Sequence, residues 1–185
     1  SAVPNIALRD EFPATSVEVC KYSDGSVKLY AAVLSMGVYR SDDEGQTWTN
    51  STMSSSFLHD KIIEGQGGMF PPNNNTLLSA SRDNPDVVYV MVINDGWADA
   101  FGYTTDGGNT WLPMDEPTTY DASGLKHHLH PTTKRDGTPK PNGKSGGQGN
   151  IHGCIYAHPS NPNIVFAGGD RQPEYGPTTL MQNTN

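Results

Sequence analysis

SDDEGQTW, residues 41–48, returns as TTDGGNTW at residues 104–111. Both copies place a hydroxyl residue first, Asp third, Gly fifth, Thr seventh and Trp last. An Asp at the third position accepts hydrogen bonds from turn amides, and Gly tolerates backbone angles that other residues resist. Ser41, Asp43, Gly45 and Thr47, with their counterparts Thr104, Asp106, Gly108 and Thr110, therefore describe a tight turn closed by its own side chains. Trp48 and Trp111 bring large apolar area to the end of each turn and are expected to pack between neighbouring sheets.

The chain upstream of each copy repeats as well. VCKYSDGSVKLYAAVL, LLSASRDNPDVVYVMVI and GCIYAHPSNPNIVFAGG each join two apolar strands through a polar turn, SDGS, DNPD or SNPN. β-branched and aromatic enrichment fits strands, and the turn residues preset or tolerate special backbone angles. Aligned on Tyr30, Tyr89 and Phe166, the units span approximately 17–50, 77–113 and 150–185, with long connections at 51–76 and 114–149. A repeated meander of about four antiparallel strands is the unit of a β-propeller. The predicted fold is all-β, with about 2.5 such blades. A ring typically needs 4–8, so the chain is expected to be part of a larger polypeptide or to be completed by other subunits. In the third unit, residues 176–182 are expected to form the third strand, and 183–185 to enter a third turn.

The two octapeptides and the strands before them resemble the Asp-box, or BNR, repeat superfamily of propellers. That group includes sialidases, exo-xyloglucanase-type glycoside hydrolases and sortilin-type receptors. The resemblance covers roughly residues 17–185 and implies fold more specifically than function. The sialidase pattern fails: Arg9-Asp10-Glu11-Phe12-Pro13 stands where an Arg-Ile-Pro segment is expected, and the chain has five arginines in all.

The totals exclude several classes. A formal net charge of −8 gives no basic footprint for nucleic acid. No apolar run approaches the ~18 residues of a membrane-spanning helix. Cys20 and Cys154 fall on the first strands of the first and third units; they read as small buried residues rather than as a bridge. Asn50 and Asn74 begin Asn-x-Ser/Thr tripeptides and are glycosylation candidates.

Successive turns of a meander fall on opposite ends. The octapeptides share one end with the SDGS-type turns, and the opposite end carries the expanded loops, where function usually gathers. Those loops hold 94–100 (NDGWADA), 169–177 (GDRQPEYGP) and the long connections. Carboxylates beside an aromatic face suit glycans, because the ring stacks on the sugar while carboxylates bond its hydroxyls. Paired carboxyl groups at ~5–9.5 Å also serve glycoside hydrolysis. Asp95, Asp99, Asp170 and Glu174 are the catalytic candidates; Trp97, Tyr120, Arg171 and Tyr175 are the binding candidates. His128 and His130, with His152, match no strong zinc spacing, and neither a metal nor a cofactor is expected. The leading expectation is a secreted or cell-surface propeller that binds, and in one version hydrolyses, carbohydrate or glycoprotein. The rival is a non-catalytic extracellular scaffold or interaction module.

Overall fold

The structure is a computed structural model that describes residues 13–34, 36–64, 75–94, 97–115, 117–120, 126–128, 149–169, 171–172, 176–177 and 181–184. Two four-stranded antiparallel meanders dominate it. The first runs β1 (Ala14–Lys21), β2 (Val27–Val33), β3 (Gly37–Ser41) and β4 (Thr49–Asn50). The second runs β5 (Asn75–Ala80), β6 (Val88–Asn94), β7 (Trp97–Thr104) and β8 (Leu112–Met114). After a small hairpin of β9 (Thr118–Tyr120) and β10 (Lys126–His128) comes a third sheet. It is built from β11 (Cys154–Ala157), β12 (Ile164–Gly168) and β15 (Met181–Thr184). The fold is all-β, a run of propeller-type blades.

The three polar turns close alike. Gly25 N donates to Tyr22 O, Val87 N to Asn84 O and Ile164 N to Asn161 O, at 3.0, 2.9 and 3.1 Å. In the first, the Asp24 carboxylate also accepts from the Ser26 amide and hydroxyl. Such local acceptors let the backbone reverse without orphaned amides.

The second sheet is the centre of the stack. Every residue of β6 from Val88 to Ile93 is buried, because both faces of this strand are covered. Val88, Val90 and Val92 join Leu78, Ala100 and Trp111 against Cys20, Tyr30, Ala32 and Val38 of the first sheet. The opposite residues Tyr89, Met91, Ile93 and Phe101 pack toward Ala157, Val165 and Ala167 of the third. A strand buried on both faces reads as a continuous apolar run rather than an alternation, which is why VVYVMVI looks as it does.

Side chains also stitch neighbouring sheets along their first strands. Leu78 N donates to Ser16 Oγ, and Ala80 N to Glu18 Oε2 at 3.3 Å. Ala157 N donates to Ser79 Oγ at 2.9 Å. Glu18 pairs with Tyr30 and Ser79 with Tyr89, so the two residues hold equivalent places. These bonds satisfy edge amides that would otherwise offer a template for foreign strands.

Four expectations are corrected. Residues 176–182 do not form one strand: Gly176–Pro177 pairs with Arg171–Gln172 (β14 and β13), and the sheet strand starts at Met181. The connection after β4 is helical, with a 3₁₀ turn at Thr52–Ser54, α1 at Ser56–His59 and a π-helical turn at Asp60–Glu64. A second short helix, α2, covers Gly149–His152. Trp97 and Asp99 lie on β7 rather than in a loop. Cys154 is exposed, because it sits on the far side of the third sheet with exposed Tyr156; Cys20 is buried, and both thiols are free.

Candidate functional site

At one end of the sheets stand the two octapeptide turns, built the same way. In the first, Ser41 Oγ donates to Asp43 Oδ1 and accepts from Gly45 N at 2.8 Å. Asp43 then accepts from the Thr47 amide and hydroxyl. In the second, Thr104 Oγ1 donates to Asp106 and accepts from Gly108 N at 2.9 Å, while Asp106 accepts from the Thr110 amide and hydroxyl and from Asn109 N. The Thr47 and Ser41 bonds hold the Asp43 carboxyl below its ordinary range. Burial alone would raise Asp106, but its bonds from Thr110, Thr104 and Asn109 outweigh burial and lower it. Donors that prefer the charged form cause both shifts.

The tryptophans then part company. Trp111 is 3% exposed and donates from Nε1 to Ser51 Oγ of the preceding unit at 2.8 Å. Ser51 in turn donates to Gly108 O. Trp48 is half-buried, bonds the carbonyl of its own Gly45 at 3.1 Å, and joins none of the described apolar cores. The expectation of inter-sheet packing thus holds at Trp111 and is corrected at Trp48. The second turn is also tied to the first sheet by charge. Arg40 donates to Gly107 O and Asn109 Oδ1 at 3.0 and 2.7 Å and pairs with Asp42. Gly107 N donates to Asp86 O, which places the DNPD turn at this same end.

The helical connection starts at this end and crosses the seam to the other. Ser55 caps α1 by accepting from Leu58 N and donates to Trp111 O. Leu58 and Ile62 are buried in the core between the first two sheets. Phe57 lies against Gly102 of β7, where a Cβ would come within 2.5 Å of its ring. The connection is a wedge, fixed by apolar residues on one side and presenting polar ones on the other.

At its far end the wedge meets the loop-bearing end of β7. Ile93 pairs with Ala98 and Val92 with Ala100, so Asp99 is the extra residue of a β-bulge. Bulges re-aim a side chain and are over-represented beside active sites. Asp99 Oδ2 pairs with Lys61 Nζ at 3.4 Å, with the two side chains 25% and 41% exposed. Lys61 belongs to the π-helical turn, another irregularity frequent at functional sites. Sequence reasoning singled out Asp99 but missed Lys61; the signal was Ser55 followed by Phe57, Leu58 and Ile62, a short capped amphipathic pattern.

Asp95, Asp170, Glu174, Tyr175 and Asn74 lie outside the described residues. Trp97 opens β7 opposite Asn94, Tyr120 pairs with Lys126, and Arg171 pairs with Pro177. Asn50 is half-buried: its Oδ1 accepts from the Thr52 and Met53 amides, and its Nδ2 donates to Tyr39 Oη at 3.3 Å. Among the described residues no group of three metal-ligating side chains comes together, and no helix is long and apolar enough to cross a membrane.

No protein-family profile matches the chain, and no curated protein does. Solved structures do. A GH74 enzyme from Niastella koreensis matches over 93% of this chain with a TM-score of 0.51 and 18% identity; the match spans 20% of that enzyme. A GH74 xyloglucanase from Xanthomonas campestris aligns over 90% of the chain and 28% of its own, at 14% identity and a TM-score of 0.36. The first likeness shows a shared fold.

Proposed function

We propose that the chain is part of a secreted or cell-surface Asp-box propeller that engages glycans at its loop-bearing end. The observation that carries this reading is Asp99, a carboxylate turned out of the β7 ladder by a bulge and braced by Lys61 at that end. Its fold, shared with a GH74 enzyme, supports the same reading. In a hydrolytic version, Asp99 forms a carboxyl pair with Asp95, Asp170 or Glu174, and Trp97, Tyr120, Arg171 and Tyr175 grip the sugar. The Asp-box residues, Ser41, Asp43, Gly45, Thr47 and Trp48 with Thr104, Asp106, Gly108, Thr110 and Trp111, are structural clasps at the opposite end. Asn74 is the better glycosylation candidate, because the Asn50 amide nitrogen that would carry a glycan is engaged by Tyr39.

The test is incubation with a panel of soluble polysaccharides, reading retention and reducing-end release together. Retention of at least one member, lost on Asp99→Asn, is the expected result. A protein that retains and releases nothing contradicts the reading.

A second reading, a non-catalytic scaffold completed by further blades or neighbouring subunits, draws on Val17 and Val19. These are 59% and 64% exposed on the face of β1 turned away from the second sheet. Apolar exposure of that kind favours a protein partner. Sedimentation analysis of the purified chain separates this reading: self-association or capture of neighbouring blades supports it, and a monodisperse monomer counts against it.

A further inference from the structure

We propose that the two outer faces of the described stack are the halves of one interface, and that a second copy of this chain docks there head to tail, its third sheet seated on β1 of the first. The proposal is independent of glycan binding; it rests on the scaffold reading and names the partner.

The internal repeat supplies the template. Glu18 pairs with Tyr30, Ser79 with Tyr89 and Tyr156 with Phe166, so these pairs hold equivalent places in the three sheets. The next residues, Val19, Ala80 and Ala157, are therefore equivalent, and so are the preceding ones, Val17, Leu78 and Ile155. At both seams inside the chain the pairs face forward: Glu18 Oε2 accepts from Ala80 N, and Ser79 Oγ accepts from Ala157 N. Their neighbours face back: Leu78 and Ala80 pack on the first sheet, Ile155 and Ala157 on the second.

The ends of the stack carry the same two halves unmatched. At the back, Val17 and Val19 are exposed where Leu78 and Ala157 are buried. The Val19 amide, counterpart of Ala80 N and Ala157 N, has no side-chain acceptor among the described residues. At the front, Tyr156 and Cys154 are exposed, and Phe166 is only half-buried where Tyr30 and Tyr89 are buried. One chain thus displays an aromatic forward face and the apolar strip that such faces cover twice within it. A second copy supplies the missing half in a register the molecule already uses. Docking removes the valines and the aromatic pair from water, with Tyr156 as the large anchor at the contact, and it covers the free edge of β1. Because the two faces differ, the contact is heterologous, and copies add head to tail unless a ring closes.

The register also fixes a crosslink. Cys154 pairs with Gly168 and Ser16 with Ala32, so Cys154 holds the place of Ser16. Ser16 Oγ accepts from Leu78 N at 3.1 Å, and Val17 holds the place of Leu78. Cys154 of one copy should therefore meet residue 17 of the next.

The experiment is sedimentation velocity of the full chain over a range of concentrations, with no saccharide present. Wild type is expected to self-associate. Val17→Lys/Val19→Lys should associate at least about tenfold more weakly, because docking would bury unpaired charges, and its thermal midpoint should stay near that of wild type, as for surface substitutions. In parallel, Val17→Cys is oxidised with diamide and the disulfides are mapped by mass spectrometry. The introduced thiol should bond Cys154 of another copy, and Cys154→Ser should abolish that product. Met53→Cys, exposed on neither face, should give none above background. Self-association that the lysine variant leaves unchanged overturns this surface and leaves the scaffold reading standing. Disulfides that join like residues in place of residue 17 to Cys154 overturn the head-to-tail arrangement. A wild type that stays monomeric throughout assigns the faces to another partner and overturns the proposal.

Discussion

The two octapeptide turns have nearly the same local bonds and different surroundings. In each, a hydroxyl and an aspartate close the reversal without help from the rest of the chain. Among the described residues only the second is sealed by a neighbour: Trp111 is buried on the first unit through Ser51, while Trp48 folds back onto its own Gly45. The motif therefore makes a turn by itself, and at Trp111 it also joins two sheets. The largest test of that difference is Trp→Ala at each site. Trp111→Ala should cost about 3–5 kcal/mol, the range for emptying a buried aromatic site. Trp48→Ala should cost about 1–2 kcal/mol for its smaller buried area. Urea denaturation measures both, and equal losses would break the comparison.

The fourth position of each turn sharpens it. Gly107 has φ 68°, and a Cβ there would lie 2.5 Å from Lys28 Nζ and 2.9 Å from Asp86 Oδ1. Gly107→Ala should destabilise by about 1–3 kcal/mol through strain and loss of the joint. In the first turn Glu44 adopts φ 58°, a left-handed conformation that costs a non-glycine residue about 1–2 kcal/mol. Glu44→Gly should be neutral or slightly stabilising, by less than about 1 kcal/mol after the added chain entropy. The two substitutions run in opposite directions, away from glycine and toward it, and both report the left-handed backbone of the fourth position.

Acid titrates both turns at once. The Asp43 and Asp106 carboxyls are held below their ordinary value of 3.8. Their stabilisation is therefore present above that value and lost as pH falls through the depressed folded values. Asp106→Asn should flatten the acid limb of a stability–pH profile, and Asp43→Asn should flatten it less, since among the described residues no second sheet bonds to that turn.

The smallest effect belongs to the stitches between first strands. Glu18 and Ser79 do the same work in successive seams, but only Glu18 ionises. Burial raises its carboxyl above the ordinary 4.5, and the Ala80 amide lowers it in part. A raised carboxyl stabilises the fold below the unfolded value, and that contribution fades as pH climbs through the folded one. Glu18→Gln keeps the acceptor and should stabilise modestly at pH 7 with no gain near pH 4, as thermal midpoints at the two pH values would reveal.

Much of the scaffold is legible from residues alone because its signals are local. Asp and Gly at fixed spacing in the octapeptides, and β-branched runs beside SDGS-type turns, are decided within about ten residues. The candidate site is less so. Asp99 reads as a loop carboxylate because Trp97-Ala98-Asp99-Ala100 alternates weakly, and the bulge that carries it arises from register against β6. Lys61 is hidden because its helical turns are short and owe their stability to Leu58 and Ile62 packing into a seam that exists only after two sheets meet. The contrast between Trp48 and Trp111 is invisible for the same reason: identical spacing does not say which indole is buried against another described sheet.

Indole hydrogen exchange tests the stacking of successive units most directly. With ¹⁵N-labelled protein, Trp111 Nε1–H should be strongly protected and Trp48 Nε1–H should exchange much faster, and Ser51→Ala should accelerate Trp111 while leaving Trp48 unchanged. Equal exchange at the two indoles, or a Trp111 rate indifferent to Ser51, would contradict the account.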